Sequence, residues 1–226
     1  MQFAPTVQLP DCFTRLFQQA VWRFPENEKV IYLTFDDGPV PEVTPWVLDI
    51  LKEENISASF FCVGENVQKN PAVFSRILEE GHSVGNHTYN HLQGLKTANK
   101  LFFENIHKAE KYIPSDLFRP PHGWMRPSQY KVLSKRFQII MWDVISNDYN
   151  SNLTAEKIIR NVTDYVRPGS IITFHDSVKA WKNLEKTLPH CISLLKKEGY
   201  TFKAIPYKKH TYKKLPARVL KAEQVL

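Results

Sequence analysis

Cysteine is too scarce and too scattered to staple this chain. Cys12, Cys62 and Cys191 are odd in number, form no CxxC pair and provide no disulfide framework, so inert thiols in a reducing compartment are expected. Long apolar runs are missing as well. The N-terminal stretch carries Asp11 and Arg15, which excludes a secretory signal or a membrane span there, and with Met1 opening the chain the expected location is cytoplasmic. There is no internal repeat, no interdomain linker and no recognised nucleic-acid motif. The net charge of +7 does not supply one. A tail from Tyr207 to Leu226 (Lys208, Lys209, Lys213, Lys214, Arg218 and Lys221 against Glu223) holds +5 of it, so the body is nearly balanced. Such a tail reads as a solvated extension, and no nucleic-acid partner is expected.

What is present is enough apolar sequence, 42% of 226 residues, for one domain over 1–226 with a substantial core. Strand-like and helix-like segments alternate along it. Val30–Phe35, 57–63, 82–85, 116–119, 137–144, 170–174 and 200–204 read as strands. Segments 41–54, 70–80, 99–112, 127–135, 155–166 and 179–198 read as helices. Alternation of this kind implies parallel strands joined by right-handed crossovers. About seven units favour a closed or nearly closed α/β barrel, with a doubly wound sheet as the other arrangement of the same pattern.

Polar residues collect where these strands end, which in a barrel is the functional rim. Asp36 and Asp37 close the first strand, before the Gly38-Pro39 break, and His87 and His91 follow the third. Arg119 ends the fourth, Asp143 and Asp148 surround the end of the fifth, and His175-Asp176 ends the sixth. Paired carboxylates at the end of a buried strand need a cation nearby. His87 and His91 are four residues apart, so one helical turn would put both rings on one face. Two imidazoles with one carboxylate make a divalent metal site with open positions, for which zinc is the default and cobalt or nickel also fit. Taken singly, each of these has a plainer reading: a capped turn at Asp-Gly, surface histidines, a capping His-Asp.

In motif order the chain resembles the polysaccharide deacetylases of carbohydrate esterase family 4, the NodB homology domain, over Val30 to Ala204. Thr34-Phe35-Asp36-Asp37-Gly38-Pro39 and His87-Thr88-Tyr89-Asn90-His91 stand complete. Arg119-Pro120-Pro121-His122-Gly123, Ile145-Ser146-Asn147-Asp148-Tyr149 and Thr173-Phe174-His175 are altered forms of the other three. The resemblance implies a distorted (β/α) barrel and a deacetylase of an N-acetylated sugar polymer, oligomer or precursor. It further implies that Asp37, His87 and His91 hold the metal and that Asp36, paired with Arg119, is the general base. The main-chain N–H of His122 would meet the oxyanion, and His175 would protonate the leaving amine.

Two departures shape further expectations. Ile145 stands where the family has the first acid of its fourth motif, which helps orient the acid histidine. Strand alternation puts residue 143 on the same face as 145, so Asp143 is expected to support His175 instead. Trp124 and Tyr149, in loops at the rim, are expected either to stack on a sugar face or to pack. Two other function classes remain: an amidohydrolase on a small non-sugar amide, and a carbohydrate-binding relative without turnover.

Overall fold

Strand β2 (Val30–Asp36) is buried at every residue, as a parallel strand covered on both faces must be. Its alternation divides the molecule. Ile31, Leu33 and Phe35 pack outward among Val47, Leu48, Leu51, Leu184 and Leu188 of the surrounding helices. Val30 and Tyr32 face inward to meet Phe61, Leu117, Ile140 and Ile171. Each such apolar side chain contributes about 1.5–3 kcal/mol when fully buried. Two residues on, the inward face turns polar with Thr34 and Asp36, both buried.

The computed structural model describes residues 7–14 and 17–209. The other strands are β1 (Ala20–Val21), β3 (Ser59–Cys62), β4 (Ser83–Asn86), β5 (Leu117–Phe118), β6 (Gln138–Ile140), β7 (Val144–Ile145), β8 (Ile171–His175) and β9 (Thr201–Phe202). The helices are α1 (Asp11–Thr14), α2 (Thr44–Glu53), α3 (Gly64–Lys69), α4 (Pro71–Glu79), α5 (Asn99–Ala109), α6 (Pro127–Leu133), α7 (Ala155–Thr163) and α8 (Trp181–Lys197). Among the described residues the strands run in the order β1-β6-β5-β4-β3-β2-β8-β7, with β9 beside the start of β2, and every ladder is parallel. The result is the expected distorted (β/α) barrel rather than a doubly wound sheet.

Three details depart from the sequence reading. The single strand expected at 137–144 is two, because the chain changes partners between them. Met141 N–H bonds to Val21 O at 2.8 Å, whereas Asp143 N–H bonds to Ile171 O at 3.0 Å, so this segment crosses the barrel seam. The free edge of β7 is met by the N-terminal segment, where Ile145 N–H bonds to Val7 O at 3.0 Å. The short β1 and α3 carry too little periodicity to be read from sequence. The basic tail expected from Tyr207 lies, beyond Lys209, outside the described residues.

Register sets the rim. β2 and β8 align so that Asp36 is directly opposite His175, and β4 and β5 align Asn86 with Phe118, which brings the following His87 and Arg119 level. Inward parity then carries Asp36 after Tyr32, Arg119 after Leu117 and His175 after Ile171 to one mouth of the barrel.

Candidate active site

Arg119 is fully buried at that mouth and is satisfied on every side. Its Nη1 donates to Asp36 Oδ1 at 2.6 Å and Thr34 Oγ1 at 2.8 Å; Nε and Nη2 donate to the carbonyls of Ile140 at 3.2 Å and Met141 at 2.9 Å. The ring of Phe61 lies 4.0 Å from the guanidinium carbon. A desolvated charge costs several kcal/mol unless it is paired and hydrogen-bonded, and both ions here meet that condition. The Asp36–Arg119 pair is therefore in place as the sequence suggested.

Asp37, His87 and His91 converge, one ligand atom from each lying within 4.8 Å of the others. Asp37 Oδ1 is 3.2 Å from His91 Nε2 and 3.7 Å from His87 Nε2. The histidines do not share a helix face as expected. Residues 88–90 form a turn, and left-handed backbone at Thr88 (φ 65°) and His91 (φ 59°) swings the second ring back toward the first. His87 Nδ1 contacts Arg119 O at 2.8 Å; a carbonyl only accepts, so the proton sits on Nδ1 and Nε2 presents a lone pair. Burial, partly offset by Asp36, lowers the His87 pKa to about 4 and keeps the ring neutral. Asp37 Oδ1 is itself buried without a well-formed hydrogen bond. Lone pairs of a carboxylate and imidazoles aimed at one point are mutually unfavourable unless a cation joins them, so this donor set fits a divalent metal. Burial alone would raise Asp37, but contact with His91 and the positive charge of His175 hold it well below the usual carboxylate range.

Across the mouth, His175 Nδ1 bonds to Asp148 Oδ1 at 2.7 Å, and Asp148 Oδ2 accepts the His175 backbone N–H at 2.8 Å. Asp148 is fully buried. Burial would lower His175, yet the charge and hydrogen bond of Asp148, then Asp37 and Asp36, raise it to about 9. Here the expectation for Asp143 fails. Asp143 bonds Arg167 Nη2 at 2.7 Å, Arg167 Nε at 3.0 Å, the Ser170 hydroxyl at 2.6 Å and Gln8 Nε2 at 3.1 Å. Arg167 and Ser170 stand just before β8, whereas His175 ends it, about 16 Å from Ser170 along the strand. Residues 141–143 are the seam crossing and not continuous strand, so the alternation at 145 does not extend back to 143. The acid bonded to His175 is Asp148, the only Asp in the fourth motif here.

A cleft of about 620 Å³ opens over these groups, lined by Asp36, Asp37, His87, His91 and His175 on one side and Trp22, Trp142 and Ile145 among the apolar residues. Trp124 lines it and is 46% exposed, as a stacking face would be. Tyr149 also lines it but is committed to packing, edge-on to His175 at 5.0 Å with its hydroxyl donating to Asn147 Oδ1 at 2.9 Å. His122 (φ 60°) is the central residue of a short 3₁₀ turn, Pro121–Gly123, and its ring stands 4.8 Å from that of His91. Burial and the neighbouring His91 lower the His122 pKa. Sequence reasoning passed over Asn66, whose Nδ2 donates to Asp37 O at 2.7 Å. It also passed over Asn183, which donates to Asp148 O at 2.8 Å. Asp176, behind the rim, is pushed up to about 8 by burial and by Asp37, with the Thr44 hydroxyl opposing.

Comparison with known proteins agrees with this geometry. A peptidoglycan-N-acetylglucosamine deacetylase of Bacillus cereus is 34% identical over 188 residues, which is 80% of this chain and 88% of that protein. A solved peptidoglycan N-acetylglucosamine deacetylase, in complex with a naphthalenyl N-oxidanyl-benzamide, superposes with a TM-score of 0.82 and 32% identity, covering 90% of this chain and all of that one. A carbohydrate esterase family 4 pseudoenzyme from Bacillus anthracis shares the fold at a TM-score of 0.70 and 25% identity, over 82% of this chain and 67% of its own. The model of the polysaccharide deacetylase family matches residues 24–136, the half of the chain that carries the first three rim motifs, and the chain belongs to that family.

Proposed function

We propose that the protein hydrolyses the acetamide of N-acetylglucosamine residues in an N-acetylated glycan, releasing acetate and a free amino sugar. The observation that carries this is one mouth holding a base, a metal-ligand triad and a supported acid together. The Bacillus cereus relative, named for deacetylating N-acetylglucosamine in peptidoglycan, supports the substrate class.

Asp37, His87 and His91 would hold a divalent cation, zinc by the chemistry of two imidazoles and one carboxylate, which when bound polarises an amide carbonyl and acidifies water. Asp36 has Oδ1 occupied by Arg119 and Oδ2 left to take the proton of the attacking water. Arg119 keeps that carboxylate charged and fixed in direction. The main-chain N–H of His122 serves the oxyanion as the C–O bond forms. His175, with Nδ1 committed to Asp148, delivers a proton from Nε2 to the sugar nitrogen as the C–N bond breaks. Trp124 offers its exposed face to a sugar ring.

Acetate release tests the proposal. Chitooligosaccharides and peptidoglycan fragments should yield acetate, chelator should abolish it and zinc should restore it. Release from small linear amides alone would move the assignment to a non-sugar amidohydrolase. Tight glycan binding without acetate from any substrate, zinc present, would make the protein a binding relative.

A further inference from the structure

The chemistry above leaves one buried acid beside the site unused. Asp176 is 1% exposed, and its backbone N–H bonds to Asp36 O at 3.1 Å. Its Oδ1 accepts the Gly38 N–H at 3.1 Å and its Oδ2 accepts the Thr44 hydroxyl at 2.6 Å. Thr44 Oγ1 in turn accepts the Val40 N–H at 2.8 Å. One carboxyl thus grips the turn after Asp37 twice, directly at Gly38 and through Thr44 at Val40. The approach is as close as glycine permits: a Cβ on Gly38 would fall 1.9 Å from Asp176 Oδ2. From the other side, Asn66 Nδ2 holds Asp37 O at 2.7 Å and Val63 N–H holds Gly38 O at 2.9 Å. Between these holds Asp37 keeps φ at 84°, a conformation that an L residue retains only when its surroundings impose it.

We propose that Asp176 is a positioning residue for the metal triad, holding Gly38 and Val40 so that Asp37 Oδ1 faces the Nε2 atoms of His87 and His91. This rests on the reading of that triad as a metal centre. Asp176 touches neither substrate nor ligand atoms; it acts through the turn. The same hydrogen bonds leave Asp36, at the start of the turn, tied to the backbone of the strand that carries His175.

Zinc affinity of the full chain, measured by competition with a chromophoric chelator alongside thermal unfolding, reads this role apart from turnover. Asp176→Ala is expected to weaken zinc about 10–100-fold, the range typical for a partner that orients a ligand. Thr44→Val, which releases Val40 but leaves Gly38 held, weakens it less. Asp176→Asn stays close to the parent, because an amide oxygen still accepts from Gly38 and its NH₂ reaches Thr44. If Asp176→Ala does not fold, the contrast between Thr44→Val and Asp176→Asn carries the test. Lower thermal midpoints with parental zinc affinity in every folded variant would overturn the proposal and leave the metal centre standing. A parent that binds no zinc would overturn the metal centre and the positioning role with it.

Discussion

Asp36 and Asp37 are adjacent, yet the backbone sends them to different work: one to an arginine inside the barrel, the other to two imidazoles. Replacing Asp36 by Asn should cut turnover by about 10²–10⁴-fold, the range for loss of a general base, with bound zinc unchanged by elemental analysis. Unchanged acetate release would sink the assignment. His175 gives a pH prediction with a definite sign. Its folded value, about 9, lies above that of an unfolded histidine, so the stabilising His175–Asp148 interaction is fully present below about 6.5 and lost as pH rises through about 9. The proton it would donate is lost over the same upper limb, so kcat should fall on the alkaline side. Asp148→Asn should depress kcat strongly and move that limb to lower pH. Asp143→Asn should instead leave kcat near the parent and lower the thermal midpoint, since it strips Arg167 and Ser170 of a buried partner at about 1–3 kcal/mol. Equal kinetic effects from the two variants would contradict the structural division between these acids.

At the scale of elements, the third-motif turn is held by contact with what lies beneath it. Gly123 has φ 74°, and a Cβ there would come within 2.2 Å of the Trp142 ring. Gly123→Ala should therefore cost about 1–3 kcal/mol in denaturant unfolding and reduce kcat as the His122 N–H shifts. A variant as stable and active as the parent would show that the turn is free to relax. The long elements were legible because their patterns are strong: β2 is apolar from Val30 to Leu33 and again at Phe35, and Asn70-Pro71 opens α4 at Pro71 as its chemistry dictates. Residues 137–144 were not, because an apolar run does not reveal that its hydrogen bonds pass from one neighbour to another midway. That gap also produced the error at Asp143. His87 and His91 were legible as candidate ligands from type and spacing, but the geometry joining them depends on left-handed residues at Thr88 and His91.

For the whole molecule, a metal ion held by Asp37 after β2 and by His87 and His91 after β4 should couple ligand to stability. Zinc at about 100 times its dissociation constant should stabilise the fold by about 2.7 kcal/mol, visible as a raised thermal midpoint that chelator reverses and His91→Ala abolishes. A midpoint indifferent to zinc would show that the triad does not bind it. Within the described residues no helix is long and apolar enough to cross a membrane. The barrel itself was readable from alternation and length; its mouth was readable because inward parity puts the candidate site residues Asp36, Arg119 and His175 at the ends of separate strands. What parity does not show is how a satisfied arginine, four hydrogen bonds deep in the interior, fixes the floor of that mouth.

Asp37, Thr88, His91 and His122 all carry positive φ without being glycine. Any programme that evolves this protein for heat tolerance alone will find relief at these positions, because glycine or asparagine there releases backbone strain of about 1–3 kcal/mol apiece. At Asp37 and His91 such winners would melt a few degrees higher without metal and lose a candidate metal ligand. Directed evolution of the scaffold must therefore score the bound ion and the melting point together, or it will select the chemistry away.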